Sequence, residues 1–204
     1  MKEALLIFAK NAEYGKVKTR LAATIGNEHT LLIYRQLLAH THSITKELEM
    51  DKILFYSGWI NEKDEWENQV YHKKLQQGYD LGDKMKNAFK DSFTGEYKKI
   101  VIIGTDCYEL DAPIISEAFI QLNNADVAIG PAADGGYYLL GMKKFHPEIF
   151  DTIEWSTSKV LEQTNSVCER LGLSFFLLPK LSDIDYETDL KKYPDLFLMK
   201  NKEA

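Results

Sequence analysis

Cysteine, proline and long apolar runs are all scarce in this chain of 204 residues. Cys107 and Cys168 are too few for a disulfide framework or a four-cysteine zinc site. Five prolines and twelve glycines exclude a collagen-like or low-complexity chain. No window approaches the roughly 20 apolar residues of a membrane helix. The apolar run at residues 4–9 is also too short for the core of a secretory signal. There is no long Lys/Arg block, and 25 basic against 31 acidic side chains leave a formal charge of −6. That balance argues against broad electrostatic binding to nucleic acid or an anionic membrane. The expectation is a soluble, cytoplasmic protein.

What is present suits one packed domain. Apolar residues make up 45% of the chain and aromatics 12%, enough for a sizeable core, and 204 residues would be cramped as two domains. Short continuous apolar runs, suited to strands buried on both faces, occur at residues 4–9, 52–57, 99–104, 125–130, 137–142 and 173–178, with a weaker strand at 70–76. Helical spacing marks 28–47 (with Asn27 as its expected cap), 82–93, 112–122 and 158–171. Pro113 fits the first turn of its helix, where the missing N–H costs nothing. The stretch 61–68 reads as a surface helix or loop, and 191–204 as a polar tail. Alternation of this kind predicts an α/β fold: a single three-layer α/β/α domain, residues 1–204, with a mostly parallel sheet.

In open α/β sheets ligands bind beyond the carboxyl ends of the strands, so the segments following strands hold the candidate site. After the first comes Lys10-Asn11-Ala12-Glu13-Tyr14-Gly15-Lys16-Val17-Lys18-Thr19-Arg20. Its four cations and glycine can cradle an oxyanion chain, yet it is neither a P-loop nor a dinucleotide fingerprint. A solvated basic loop is the bland alternative. After the strongest strand comes Gly104-Thr105-Asp106-Cys107, whose carboxylate is placed to hold a hard divalent cation beside phosphates. Asp111 is the better cap for the next helix, which leaves Asp106 free. Asp134-Gly135-Gly136 is either a hairpin turn or part of the same rim. Asp183 and Asp185 follow the last strand, either completing a metal site with Asp106 or capping a helix. His40 and His42, two apart, fall on different helix faces, which argues against a two-His zinc site. Cys107 reads as a buried small hydrophobe, and Trp155 as a lid or as packing.

Taken in order, these segments resemble a known family. Phe8-Ala9-Lys10 with Gly15-Lys16-Val17-Lys18-Thr19-Arg20-Leu21, then Gln77-Gly78-Tyr79-Asp80-Leu81-Gly82, Gly104-Thr105-Asp106-Cys107, Asp134-Gly135-Gly136-Tyr137-Tyr138 and Asp183-Ile184-Asp185 resemble the motifs of radical-SAM/selenodomain-associated glycosyltransferase-like proteins, members of the glycosyltransferase-A (nucleotide-diphospho-sugar transferase) superfamily. The resemblance spans about residues 5–190 and implies the glycosyltransferase-A-like fold. It assigns phosphate binding to Lys10, Gly15, Lys18 and Arg20, and a place near the base or ribose to Gly82. It makes Asp106 and Asp185 ligands of Mg²⁺ or Mn²⁺, with Asp106 catalytic through that ion, and turns Gly135 and Gly136 toward the transferred sugar or the acceptor. Asp134 is the first candidate for a catalytic base. The implied activity is metal-dependent transfer from a nucleotide sugar to a small-molecule acceptor. A nucleotidyltransferase using a nucleoside triphosphate and a non-catalytic nucleotide-binding protein are the alternatives.

Overall fold

The structure is a computed structural model describing residues 2–194 and 196. Seven strands form one sheet: β1 Glu3–Ala9, β2 Asp51–Tyr56, β3 Tyr71–Leu75, β4 Lys99–Ile103, β5 Val127–Pro131, β6 Tyr137–Met142 and β7 Phe175–Leu177. Their order is β3-β2-β1-β4-β6-β5-β7. Strand β6 alone runs against its neighbours, β4 and β5. The loop of residues 132–136 between β5 and β6 is too short for a crossover, so that pair is antiparallel, whereas longer connections give the parallel pairs.

Alternation within the buried strands divides the core in two. Leu5, Ile7, Leu54, Val101 and Ile103 face one side and pack on Ile115, Ala118 and Phe119 of α4 (Ala112–Gln121), with Leu38 and Ile44 of α2 (Asn27–Thr45) against them. Leu6, Ile53, Ile100, Ile102 and Val127 face the other and pack on α3 (Leu81–Phe93) and α5 (Val160–Arg170) through Phe89 and Val167. The sheet is therefore covered on both faces, and the expected three layers are present. Asp80 and Asp111 cap α3 and α4, accepting from Asp83 N at 2.8 Å and Ile114 N at 2.9 Å. Such caps are worth about 1 kcal/mol each.

Three sequence expectations need correction. A short helix, α1 (Thr19–Ile25), was not foreseen within the basic segment. Asn27 does not cap α2: Gly26 holds that position at φ 82, and Asn27 is already helical. The described part of the tail is not merely polar, because Leu196 is buried in a third small core with Val17, Leu21, Tyr34 and Ile184. Met1, Asp195 and residues 197–204 lie outside the described residues.

Candidate active site

That third core supports the segments leaving β1 and β4. Tyr34 of α2 ties them together: its hydroxyl accepts from Lys10 N at 2.9 Å, donates to Lys10 O at 3.1 Å and meets Thr105 Oγ1 at 3.3 Å. Burial, with the nearby Asp106 carboxylate, pushes the Tyr34 phenol well above its ordinary value, so it stays protonated. The stretch following β7 is stitched to the segment after β4. Ile184 N donates to Asp106 O at 3.0 Å, and Ser182 N to Glu109 Oε2 at 2.7 Å. Asp189 of α6 (Glu187–Leu190) accepts from Asp185 N and Tyr186 N at 3.0 and 2.8 Å. Asp189 therefore does the local capping, and the carboxylate of Asp185 is used elsewhere.

These ties bring three chain-distant charges to one point. The Lys18 ammonium lies 2.9 Å from Asp106 Oδ2 and 2.8 Å from Asp185 Oδ1, with 5% of its side chain exposed. Burial alone would lower the Lys18 pKa, but the two carboxylates outweigh it and hold the ammonium above the ordinary lysine value. Lys18 sits in left-handed backbone at φ 44, unusual for a residue with a side chain. Arg20 is further out, 3.7 Å from Asp185 Oδ2, with its guanidinium over the Tyr186 ring. At 60% exposure this pair contributes little stability. Two carboxylates face one buried ammonium, and the exposed Arg20 is the further cation against them.

Asp183, which the sequence offered as a partner of Asp106 in a metal site or as a helix cap, stands beside this cluster. Burial first, then the Asp106 carboxylate, with smaller contributions from Asp134 and Asp185, raises its pKa to about 7, while Lys18 opposes the shift. Between about pH 4 and pH 7 the native chain keeps a proton that the unfolded chain has lost. This group's contribution to stability thus falls as pH rises through that window. Asp183→Asn is expected to raise the melting temperature by several degrees at pH 8 and to flatten its decline between pH 5 and 8. Thermal melts across that range check this, and an unchanged slope would refute it.

The other predicted residues are placed separately. Gly15 turns the first segment at φ 73. The Lys10 side chain is exposed and, among the described residues, unpaired. Asp134 Oδ1 accepts from Gly136 N at 2.9 Å within the loop between β5 and β6, a hairpin turn, and the Asp134 carboxylate is also among the charges that raise the Asp183 pKa, so the turn stands beside the cluster. Gly135 is at φ 93, and a Cβ there would lie 2.1 Å from Ser158 O. Gly82 is buried, and a Cβ there would lie 2.0 Å from Trp155 Nε1. The face of Gly82 is therefore covered by the indole. Trp155 also meets the Tyr137 and Phe150 rings, which makes it packing in this structure. Cys107 is buried and its thiol is pushed up to about 12 by burial, which makes it inert. His40 bonds Leu110 O and His42 bonds Glu67, so the two do not share a ligand.

Asp106 and Asp185 offer hard oxygen donors to a common point, which suits Mg²⁺ or Mn²⁺. Among the described residues no three His, Cys, Asp or Glu side chains form a metal-holding group. The donor set thus fits an ion that takes its remaining ligands from water and phosphate, rather than one caged by protein alone.

The sheet order, the two helical layers and the strand-end cluster define a nucleotide-diphospho-sugar transferase/nucleotidyltransferase-like fold. The sequence profile of the family described as "Uncharacterized protein conserved in bacteria (DUF2064)" matches residues 40–157. This chain belongs to that family. A crystal structure from Desulfovibrio desulfuricans G20, described provisionally as a nucleotide-diphospho-sugar transferase, is 31% identical, with a TM-score of 0.86 over 100% of this chain and 90% of that one. The inositol-1-phosphate CTP transferase from T. maritima is 14% identical at a TM-score of 0.53, over 100% of this chain and 98% of that one. A 4-diphosphocytidyl-2C-methyl-D-erythritol synthase is 13% identical at 0.56, over 96% and 98%. The last two likenesses are of fold alone. No curated protein matches the sequence.

Proposed function

We propose that this chain is a metal-dependent transferase acting on a nucleotide-diphosphate donor, transferring a glycosyl group from a nucleotide sugar to a small-molecule acceptor. The observation that carries the reading is the meeting of Asp106, after β4, and Asp185, after β7, on one cation beside a basic segment. The motif resemblance to radical-SAM/selenodomain-associated glycosyltransferase-like proteins and the likeness to the D. desulfuricans protein support it. In this reading Asp106 and Asp185 hold Mg²⁺ or Mn²⁺, which when bound would neutralise charge developing on the leaving diphosphate. Lys18 then turns its ammonium from the two carboxylates to the donor's phosphates, where Lys10 and Arg20 share the charge and the Gly15 turn lets backbone approach. Asp134 is the residue we assign to taking the acceptor's proton, at the loop that Gly135 and Gly136 shape.

Nucleotidyl transfer from a nucleoside triphosphate is a second reading of the same residues. The density of cations after β1 favours it, as do the fold neighbours whose names specify CTP transfer or cytidylyl products. A melting screen of nucleoside di- and triphosphates and nucleotide sugars, each with and without Mg²⁺ or Mn²⁺, tests the donor. At a hundredfold its dissociation constant a ligand adds about 2.7 kcal/mol. The expected result is metal-dependent stabilisation by a nucleotide sugar, followed by release of the nucleotide on turnover. Release of pyrophosphate without nucleoside diphosphate would select the second reading. Binding without any turnover, unchanged in Asp106→Asn, would leave a nucleotide-binding protein.

A further inference from the structure

A cleft opens at the start of the segment after β1, on the side of the sheet that α2 covers. It encloses about 520 Å³ and is lined by Lys10, Arg35, Trp59, Lys63, Tyr56 and Trp66, with Asn61, Asp64 and Glu65 completing its wall. Its construction is rigid. The Asn11 amide donates from Nδ2 to Trp59 O at 2.9 Å and accepts at Oδ1 from Gly58 N at 2.9 Å, while Asn11 N donates to Ser57 Oγ at 3.3 Å. Asn11 is itself buried, so the segment after β1 and the segment after β2 are clamped into one wall. Tyr56 and Trp66 are buried behind the cleft, whereas Trp59 leaves 49% of its surface open.

Charge around the cleft is unbalanced. Lys10, Arg35 and Lys63 are exposed, and among the described residues none of them has an ion-pair partner. Asp64 is committed inward: its carboxylate accepts from Lys73 Nζ at 2.8 Å and from the Tyr56 hydroxyl. Of the acidic side chains that line the cleft this leaves Glu65, exposed, with Glu62 near Tyr56 behind it. Unpaired cations lining the same cleft as an open indole face offer an anion site next to a ring platform, a combination of polar groups and aromatic wall typical of small-molecule pockets. Tyr34 links Lys10 to Thr105, so the cleft shares a wall with the Asp106 cluster without including it.

We propose that this cleft is a second ligand site whose occupant is a small sugar carrying a phosphate or carboxylate: the anion meets Arg35 and Lys63, and the ring lies against Trp59. Its further assignment as the acceptor of the transfer rests on the function proposed above; the site itself does not. The test is titration of the full chain, followed by tryptophan fluorescence and by melting temperature, with glucose 6-phosphate, glucuronate, glucose and inorganic phosphate as probes and no nucleotide or metal present. The expected result is saturable binding of one or both anionic sugars at least tenfold tighter than glucose or phosphate. The fluorescence change should vanish in Trp59→Phe, and binding should weaken tenfold or more in Arg35→Gln without loss of thermal stability. Asp106→Asn should leave it unchanged, which separates failure of this site from failure of the transferase reading. No binding by either anionic sugar, binding that Arg35→Gln leaves intact, or binding of phosphate alone without a Trp59 response would overturn the proposal.

Discussion

Asp106→Asn should lower metal-dependent turnover by about 10²–10³-fold while the fold survives. Removing a single group that stabilises transition-state charge typically costs about 3–4 kcal/mol of activation free energy. Asp106 leaves 40% of its side chain exposed, and in the variant the buried Lys18 ammonium would still be held by Asp185 at 2.8 Å. No isolated charge is left in the interior, so the melting temperature should move by only a few degrees. Lys18→Met is the informative contrast. It leaves Asp106 and Asp185 facing each other without their shared cation, so it should destabilise the chain, and added Mg²⁺ or Mn²⁺ should restore more stability to it than to the unaltered protein. Melting curves with and without the ion, alongside turnover, distinguish these outcomes. Full activity in Asp106→Asn would remove the residue from the chemistry.

Gly135→Ala should cost more than about 3 kcal/mol, the largest stability effect expected from a single methyl group in this protein. Two penalties coincide there: φ is 93, and the new Cβ would lie 2.1 Å from the carbonyl oxygen of Ser158. Because the obstacle is backbone, no side-chain rotation relieves it. Leu161 N also donates to Gly135 O at 2.9 Å, so any displacement is carried into α5. Gly26→Ala provides the comparison, since Gly26 has a similar φ of 82 but nothing within 4 Å of the added atom. It should cost only the conformational share, about 1–3 kcal/mol, because φ 82 with ψ 157 is backbone that essentially only glycine adopts. Urea denaturation of both variants measures the difference. Equal destabilisation would mean that the loop between β5 and β6 yields to the Ser158 contact.

The strands were the easiest elements to read, because a parallel sheet buried on both faces needs continuous apolar runs and this chain places them between amphipathic segments. Capping by Asp111 was legible for the same reason: a short acceptor before an apolar helical pattern satisfies free N–H groups locally. Helix α1 was not legible. It is seven residues long, its N-cap is a left-handed lysine without a side-chain cap, and it buries only Leu21. Tertiary packing rather than propensity holds such a helix. Asn27 was misplaced because an asparagine before a helical pattern ordinarily caps it, while here the preceding glycine makes the turn.

The site was partly legible. Loop order after the strands, read with the family resemblance, indicated Lys18, Asp106 and Asp185 as neighbours, and they do meet. Asp183 was legible only as an alternative to Asp185, and its raised pKa was not, although a local signal for its burial exists: Ile184 is fully buried in the third core, and the two carboxylates flank it. The cover that Trp155 gives Gly82 had no local signal at all, since 73 positions of chain separate them only in sequence and packing joins them.

Composition and hydrophobic period alone therefore determined that this is a one-domain α/β protein with acidic and basic segments at its strand ends. Which of those charges touch was decided only by the tertiary structure, where Lys18 reaches a carboxylate 167 residues away. The reason is physical: helix and strand periodicity are short-range properties of neighbouring residues, whereas the energy of a buried charge depends on distance and desolvation set by segments remote in sequence.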